Sequence, residues 1–330
     1  MKRACPEKRA HPRALIFDQR LNFLMILMYD ARMNTRIIPL SAGQLQIHAF
    51  CKLNLGLRVF PLRADGFHPI ETWMVPTSWR DTLTFTPSAK ALRLQITGRS
   101  QGVPTELDKN LVGKAALKLA ARGGVSPTGM LQLHKVVPAG GGLGGGSSDA
   151  AATLVLLNHA WELGLAEEEL LEIAGELGSD VPFFVPCRAA LCTGRGEVMS
   201  ALSGGHPLFA VLVIPPQGCP TRDVYQAFDR LPPSDVPPTD WAELASCDAA
   251  KLNKLLINDL ALPAFEVAPW LKVLRDQAAA AVAQPVHMTG SGSTLFTLID
   301  SAVQTESLTQ RLSRAIGEEN SLIPIRLYNL

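Results

Sequence analysis

The chain has 330 residues, 47% of them hydrophobic, which is enough for a sizeable core and, by length, for two domains. Its 31 Lys and Arg stand against 30 Asp and Glu, a formal net charge of +1, so bulk charge draws it neither to nucleic acid nor to an anionic membrane, and a charged substrate must be held by local groups. Six cysteines without a C-x-x-C pair and seven histidines without ligand spacing argue against a disulfide framework and a protein-built metal site, and predict free thiols in a reducing cytoplasm.

From the N-terminus, Lys2, Arg3, Lys8, Arg9, Arg13 and Arg20 precede an apolar patch from Leu21 to Tyr29. The patch is shorter than the ~20 residues that span a bilayer, and no small-x-small cleavage site follows it. Residues 1–44 therefore read as an extension: an organellar transit segment, or an upstream start with Met25, Met28 or Met33 as the initiator. Alternation of Leu45, Ile47 and Ala49, then of Leu53, Leu55, Leu57 and Val59, predicts two strand-like stretches with Lys52 near a bend. Thr82–Thr86 and Leu92–Ile96 alternate as well. Asn110 is placed to cap a helix from Leu111 to Arg122 that ends at Gly123 and Gly124, and Met130–Val137 reads as a strand running into a run of glycines.

That run, Pro138-Ala-Gly-Gly-Gly-Leu-Gly-Gly-Gly-Ser-Ser-Asp149, puts six glycines among the seven positions from Gly140 to Gly146 and leads directly into the apolar stretch Ala150–Trp161. Bare backbone lets several N–H groups converge on one anion, and a helix starting near Ser147 or Ser148 aims its positive end at the same point. The pattern is a phosphate cradle. It is not a Walker A loop, because no Lys follows the glycines. The dinucleotide fingerprint fits Gly140, Gly142 and Gly145 only through the abundance of glycine, and a dinucleotide fold carries such a loop on its first strand.

Downstream, helices are predicted over Ser147–Leu163 and Glu167–Leu177, completing a mixed α/β half. Ser203-Gly-Gly205 reads as a hinge, with a first domain over residues 45–203 and a second over 204–330. The second opens with a strand at His206–Ile214 and continues with helices from Thr221, Trp241 and Pro269. Strands at Val286–Met288, Leu295–Ile299 and Ile323–Tyr328 and a helix at Ala302–Ile316 complete an α+β set. Pro232–Pro238 is a loop.

The pattern Pro-x-x-x-Gly-Leu-Gly-x-x-Ser-Ser from Pro138 to Ser148 resembles the second motif of the GHMP kinases, which phosphorylate small alcohols. Other segments resemble, in order, one branch of them, the 4-diphosphocytidyl-2-C-methyl-D-erythritol kinases: Lys52-Leu-Asn-Leu55 with Arg63-Ala-Asp-Gly-Phe-His68, Gly178-Ser-Asp-Val-Pro-Phe-Phe184, Gly194-Arg-Gly-Glu197, Asn258-Asp-Leu260 and Met288-Thr-Gly-Ser-Gly-Ser293. The resemblance runs from about Leu45 to the C-terminus. It implies an N-terminal domain like the second domain of ribosomal protein S5, a ferredoxin-like C-terminal domain and a site between them.

The resemblance also implies roles. Pro138, Gly140, Gly141, Gly142, Leu143, Gly144, Gly145, Gly146, Ser147 and Ser148 would hold the phosphates of ATP, with a serine hydroxyl on Mg²⁺, and Asn110 and Lys135 would lie on the adenine side. Asp180 would be the base, in an apolar surrounding, and Lys52 its partner. Asn54 would contact the substrate's alcohol chain, Phe67 would stack on cytosine and His68 would hydrogen-bond it. Tyr225 would form the other wall, and Gly290 and Ser291 would line the phosphate region. Cys51, beside Lys52, would be open to modification. The expected reaction is ATP-dependent phosphorylation of the 2-hydroxyl of 4-diphosphocytidyl-2-C-methyl-D-erythritol by a cytoplasmic monomer or homodimer. Homoserine or mevalonate is a weaker expectation, since neither carries a base for Phe67 and His68.

Overall fold

The computed structural model describes residues 36–232 and 238–328. Cys5, the expectations for residues 1–35 and the middle of the Pro232–Pro238 loop lie outside them. The described residues include the last part of the expected 44-residue extension, residues 36–44. Strand β1 (Ile37–Pro39) pairs antiparallel with β2 (Leu45–Val59), and Arg36 Nη1 donates to the carbonyl oxygens of Phe184 at 3.0 Å and Val185 at 2.6 Å.

β2 and β3 (Ile70–Ala91) form a long antiparallel hairpin. Alternation predicts two stretches with a bend; the chain instead runs as one strand whose register slips between Phe50 and Lys52 and again between Asn54 and Gly56. The slips divide the side chains of β2 among three cores. Ile47, Ala49 and Phe50 join the first, Cys51, Leu53 and Leu55 the second, and Leu57 and Val59 the third. Lys52 and Asn54 alternate with the second group and so project from the opposite face of the strand.

β4 (Arg93–Gly98) lies parallel to β5 (Thr128–Lys135), which pairs with β3. Between them runs α1 (Leu111–Gly123), capped by Asn110, whose side chain accepts from Val112 N–H at 2.8 Å, and stopped by left-handed Gly124. After the glycine run come α2 (Gly145–Ala160), α3 (Glu167–Leu177) and α4 (Val181–Phe184). The hairpin of β6 (Ala190–Thr193) and β7 (Val198–Ala201) then extends the sheet. The helices bury Leu119, Leu154, Leu157 and Phe183 against Ile47, Leu83 and Leu133 of the sheet.

The second half reads β8 (Leu208–Ile214), α5 (Thr221–Phe228), α6 (Trp241–Ala245), α7 (Ala249–Leu255), α8 (Ala261–Val267), α9 (Pro269–Val282), β9 (His287–Met288), β10 (Leu295–Ile299), α10 (Ala302–Ala315) and β11 (Ser321–Leu327). Its strands lie antiparallel in the order β11-β8-β10-β9. Numbered within that half, this is the 4-1-3-2 order of a ferredoxin-like βαββαβ unit. β11 also pairs with β3 through Leu327 opposite Thr77, so one sheet passes through both halves. A core of Leu53, Trp73, Leu212, Trp241 and Phe296 fills the space between them.

Candidate active site

β5 delivers the chain to the glycine run, where Gly140, Gly142 and Gly144 take φ of 78°, 76° and 69°. Close approach adds to that requirement. A Cβ on Gly142 would lie 2.7 Å from the Thr289 carbonyl oxygen, and one on Gly144 2.7 Å from the Phe184 ring. Leu143, expected among the phosphate ligands, is buried instead and ties the loop to β2, its carbonyl accepting from Lys52 N–H at 3.0 Å. The helix begins at Gly145, two residues ahead of Ser147. Its N-cap is Gly144, which has no side chain to accept from the first N–H groups. Those donors are the ones an anion satisfies. Gly140 and Gly146 are exposed and Ser147 is half-buried, whereas Ser148 Oγ is buried without a partner. Free donors, a positive helix end and an orphaned hydroxyl fit nucleotide phosphates.

Lys52 extends from β2 to within 3.7 Å of Asp180 Oδ2. Its ammonium also donates to Asn54 Oδ1, and Asn54 Nδ2 donates to Thr72 Oγ1 at 2.8 Å. Asp180 occupies the N-cap position of α4 yet makes no capping hydrogen bond, so its carboxylate is not consumed by the helix. The apolar enclosure expected for it is only partial. Val181, Phe183 and Phe184 are buried behind it, but the Asp180 side chain keeps 38% exposure, which leaves the carboxylate solvated.

The opposite wall comes from the second half of the chain. Asn258 Nδ2 donates to the carbonyls of Met288 at 2.8 Å and Gly290 at 2.9 Å, and Thr289 Oγ1 accepts from Asn54 N–H at 2.9 Å. At Gly290, with φ 58°, a Cβ would lie 3.2 Å from Asn54 Oδ1 and 3.7 Å from Lys52 Nζ. Ser291 Oγ shares a 2.8 Å hydrogen bond with Thr221 Oγ1. Lys52, Asn54, Asp180, the glycine run and the Thr289–Ser293 turn thus converge where the two halves meet. Thr72, Thr289 and Asn258 are members that sequence reasoning left without a role; Asn258 and Thr289 lie in recognisable motifs, whereas Thr72 carries no sequence signal.

Next to this point is an aromatic cluster. The His68 ring lies 5.4 Å from that of Tyr225 and 5.6 Å edge-on to Phe228. Burial and the nearby charge of Asp180 push the Tyr225 phenol up to about 12. Both His68 nitrogens are engaged, Nδ1 with the Phe60 carbonyl at 2.8 Å and Nε2 with Asp229 at 3.0 Å. An edge contact to a base would thus require Asp229 to yield. Phe67 stands at the loop tip, 48% exposed, with the Arg195 guanidinium 4.7 Å above its ring.

Asn110 caps α1 and donates to Pro104 O at 2.6 Å, which fixes its side chain and leaves one amide N–H over. Two expectations are corrected. Lys135 is 3% exposed and held between Asp81 and Asp149, so its ammonium does not face an adenine. Cys51 points into the second core, where burial pushes its thiol up to about 12 although Thr77 Oγ1 lies at 2.9 Å; it is no accessible nucleophile. Among the described residues no group of three or more His, Cys, Asp or Glu side chains is placed to hold a metal.

Residues 110–187 match the sequence model of the GHMP kinases N terminal domain. Over 268 residues the chain is 37% identical to the 4-diphosphocytidyl-2-C-methyl-D-erythritol kinase of Salinibacter ruber, covering 79% of this chain and 92% of that one. It is also 37% identical to the chloroplastic/chromoplastic kinase of that name from Solanum lycopersicum, but spans only 64% of its length. A crystal structure of 4-(cytidine 5'-diphospho)-2C-methyl-D-erythritol kinase superposes with a TM-score of 0.71 at 31% identity, over 86% of this chain and 99% of that one. The mevalonate kinase of L. major, at 14% identity and TM-score 0.62 over 90% of this chain and 98% of its own, shares the fold.

Proposed function

The chain belongs to the 4-diphosphocytidyl-2-C-methyl-D-erythritol kinase family of GHMP kinases, and from that premise we propose that it transfers the γ-phosphoryl group of ATP to the 2-hydroxyl of 4-diphosphocytidyl-2-C-methyl-D-erythritol. The products are the 2-phosphate and ADP, within the non-mevalonate route to isoprenoid precursors. The observation that carries this reading is the 3.7 Å approach of Lys52 to an uncapped Asp180, between a glycine-lined helix N-terminus and an aromatic cluster.

Phosphoryl transfer needs the donor and the alcohol in line, charge neutralised on the phosphoryl oxygens and a place for the alcohol's proton. The N–H groups opening α2 and the glycines before it hold the β- and γ-phosphates. Ser147 and Ser148 supply hydroxyls to the phosphates or to their Mg²⁺, whose part is to neutralise phosphate charge. Asn54 and Lys52 face the alcohol. Asp180 accepts its proton while Lys52 stabilises negative charge on the attacking oxygen. Phe67 and Tyr225 flank the cytosine. Asn110 lies on the adenine side, and Lys135 shapes the nucleotide side from beneath. The five buried, unpaired thiols Cys51, Cys187, Cys192, Cys219 and Cys247 suit a reducing compartment, which supports a cytoplasmic location.

ADP release measured with a panel of alcohols tests the reading. Turnover should be fastest with the cytidylated tetrol, weak with the uncytidylated methylerythritol phosphate and absent with homoserine and mevalonate. Equal use of the uncytidylated compound would overturn the cytosine site and make this a general alcohol kinase.

A further inference from the structure

Beneath the phosphate loop lies a group of charges whose mutual pairing the proposed reaction does not explain. Lys135, the last residue of β5, places its ammonium between Asp81 of β3 and Asp149 of α2, the Asp149 contact being 2.6 Å. All three side chains are at most 4% exposed. Asp81 Oδ1 additionally accepts from the N–H groups of Val136 and Val137, the latter at 2.8 Å. These two residues carry the chain into Pro138. Asp149 stands one turn inside α2, where the chain leaves the loop. A Cβ on Gly145 would lie 3.5 Å from Lys135 Nζ and 3.1 Å from Val137 Cγ1, so the two ends of the loop close on this ammonium.

Removing charge from water is costly unless the groups are paired, and two carboxylates around one ammonium are a poor choice for stability alone. Their placement suits a different task. Asp81 fixes the start of the loop, Asp149 fixes the start of the helix, and Lys135 joins them. We propose that Asp81, Lys135 and Asp149 are positioning residues that set the separation between the incoming strand and the N-terminus of α2, and thereby the convergence of backbone N–H groups on the nucleotide phosphates. The proposal rests on the nucleotide reading of the loop.

Asp149→Leu cuts the tie to α2 and leaves Lys135 and Asp81 as a neutral pair, so the fold should hold. Asp149→Asn keeps an acceptor for Lys135 and serves as the conservative rescue. In the full-length protein, affinity for a non-hydrolysable ATP analogue and the KM for ATP should worsen roughly ten- to a hundredfold in Asp149→Leu, the scale of a misplaced binding group. The kcat at saturating ATP and the KM for the cytidylated alcohol should change far less, and Asp149→Asn should restore most of the affinity. A merely structural role would instead lower the active fraction, reducing kcat with KM unchanged. A folded Asp149→Leu protein with wild-type ATP affinity, or an Asp149→Asn protein as impaired as Asp149→Leu, overturns the proposal. If the wild-type protein itself bound no ATP analogue, the nucleotide reading would fail first. Lys135→Met gives an independent check, and unchanged ATP affinity in its folded fraction contradicts the triad.

Discussion

At the scale of single residues, the proposed chemistry turns on Asp180. It holds an N-cap position without capping, and its nearest cation, Lys52, is itself buried and bonded to Asn54. Asp180→Asn should lower kcat by ~10²–10⁴-fold with ATP affinity nearly unchanged, because the carboxylate does not hold the phosphates. Lys52→Ala should impair the same step, and the double variant should be little worse than either single one. Additive losses in a double-mutant cycle would separate the two residues. Phe67→Ala should weaken binding of the cytidylated alcohol roughly ten- to a hundredfold, since stacking is worth ~1–3 kcal/mol, while Phe67→Tyr should be tolerated. Titration calorimetry with the cytidylated alcohol decides this, and an unaffected Phe67→Ala would leave that ring as a platform for Arg195 only. The convergence of Lys52, Asn54 and Asp180 was legible because each sits in a motif of fixed spacing. The true setting of Lys135 was not, because its partner Asp81 lies 54 residues away on another strand and only the register of β3 against β5 brings them together.

At the scale of elements, the first turn of α2 carries the proposed phosphate site. Gly146 is exposed there, and a Cβ on it would meet only Leu111 Cδ1 at 3.7 Å. Gly146→Asp should therefore hold or raise the melting temperature, since a carboxylate at a helix N-terminus is stabilising by ~0.3–1 kcal/mol. The same charge should repel a triphosphate and cost roughly tenfold or more in ATP affinity, equivalent to about 1.4 kcal/mol. Parallel movement of the two readouts would contradict a phosphate cradle. Gly144→Val, by contrast, should lose fold and binding together, because its Cβ collides with Phe184. The buried triad adds a pH dependence. Burial, with the charge of Asp81 added to it and Lys135 opposing, pushes the Asp149 carboxyl up to about 7. The folded state then binds this proton more tightly than the unfolded chain does, so the contribution to stability is complete below about pH 4 and is lost as pH rises through about 7. Denaturant titrations between these limits should show stability falling with pH, and a flatter profile in Asp149→Asn. An identical slope in both would remove Asp149 as the titrating group. Elements with several turns or a compact apolar run, such as α3 and β10, were legible to the residue or nearly so. The short β6, β7, α7 and α8 were not, because fewer than two helical turns or a few strand residues carry too little periodicity to stand out.

For the whole molecule, the pairing of β11 with β3 makes the two halves one continuous sheet, and the candidate site lies where the Thr289–Ser293 turn of one half meets the glycine run of the other. The two-domain α/β and α+β character was legible from the order of elements. The joint between the halves was not, since a single residue pair between strands distant in sequence leaves no local signal. Burial also shields the five thiols among the described residues; it pushes Cys51 and Cys192 up to about 12. With Cys5 replaced by Ser, the native protein should react slowly with a thiol reagent and release all five remaining thiols, Cys51, Cys187, Cys192, Cys219 and Cys247, only on unfolding. Rapid reaction of the native protein would contradict the packing described. The most direct test of the account is phosphorus NMR of the wild-type protein incubated with ATP, Mg²⁺ and 4-diphosphocytidyl-2-C-methyl-D-erythritol. The expected result is one new phosphomonoester on the C2 oxygen, formed in step with ADP and absent over the same period with Asp180→Asn. ADP without a phosphorylated alcohol, phosphate on another hydroxyl, or undiminished transfer by Asp180→Asn would contradict it.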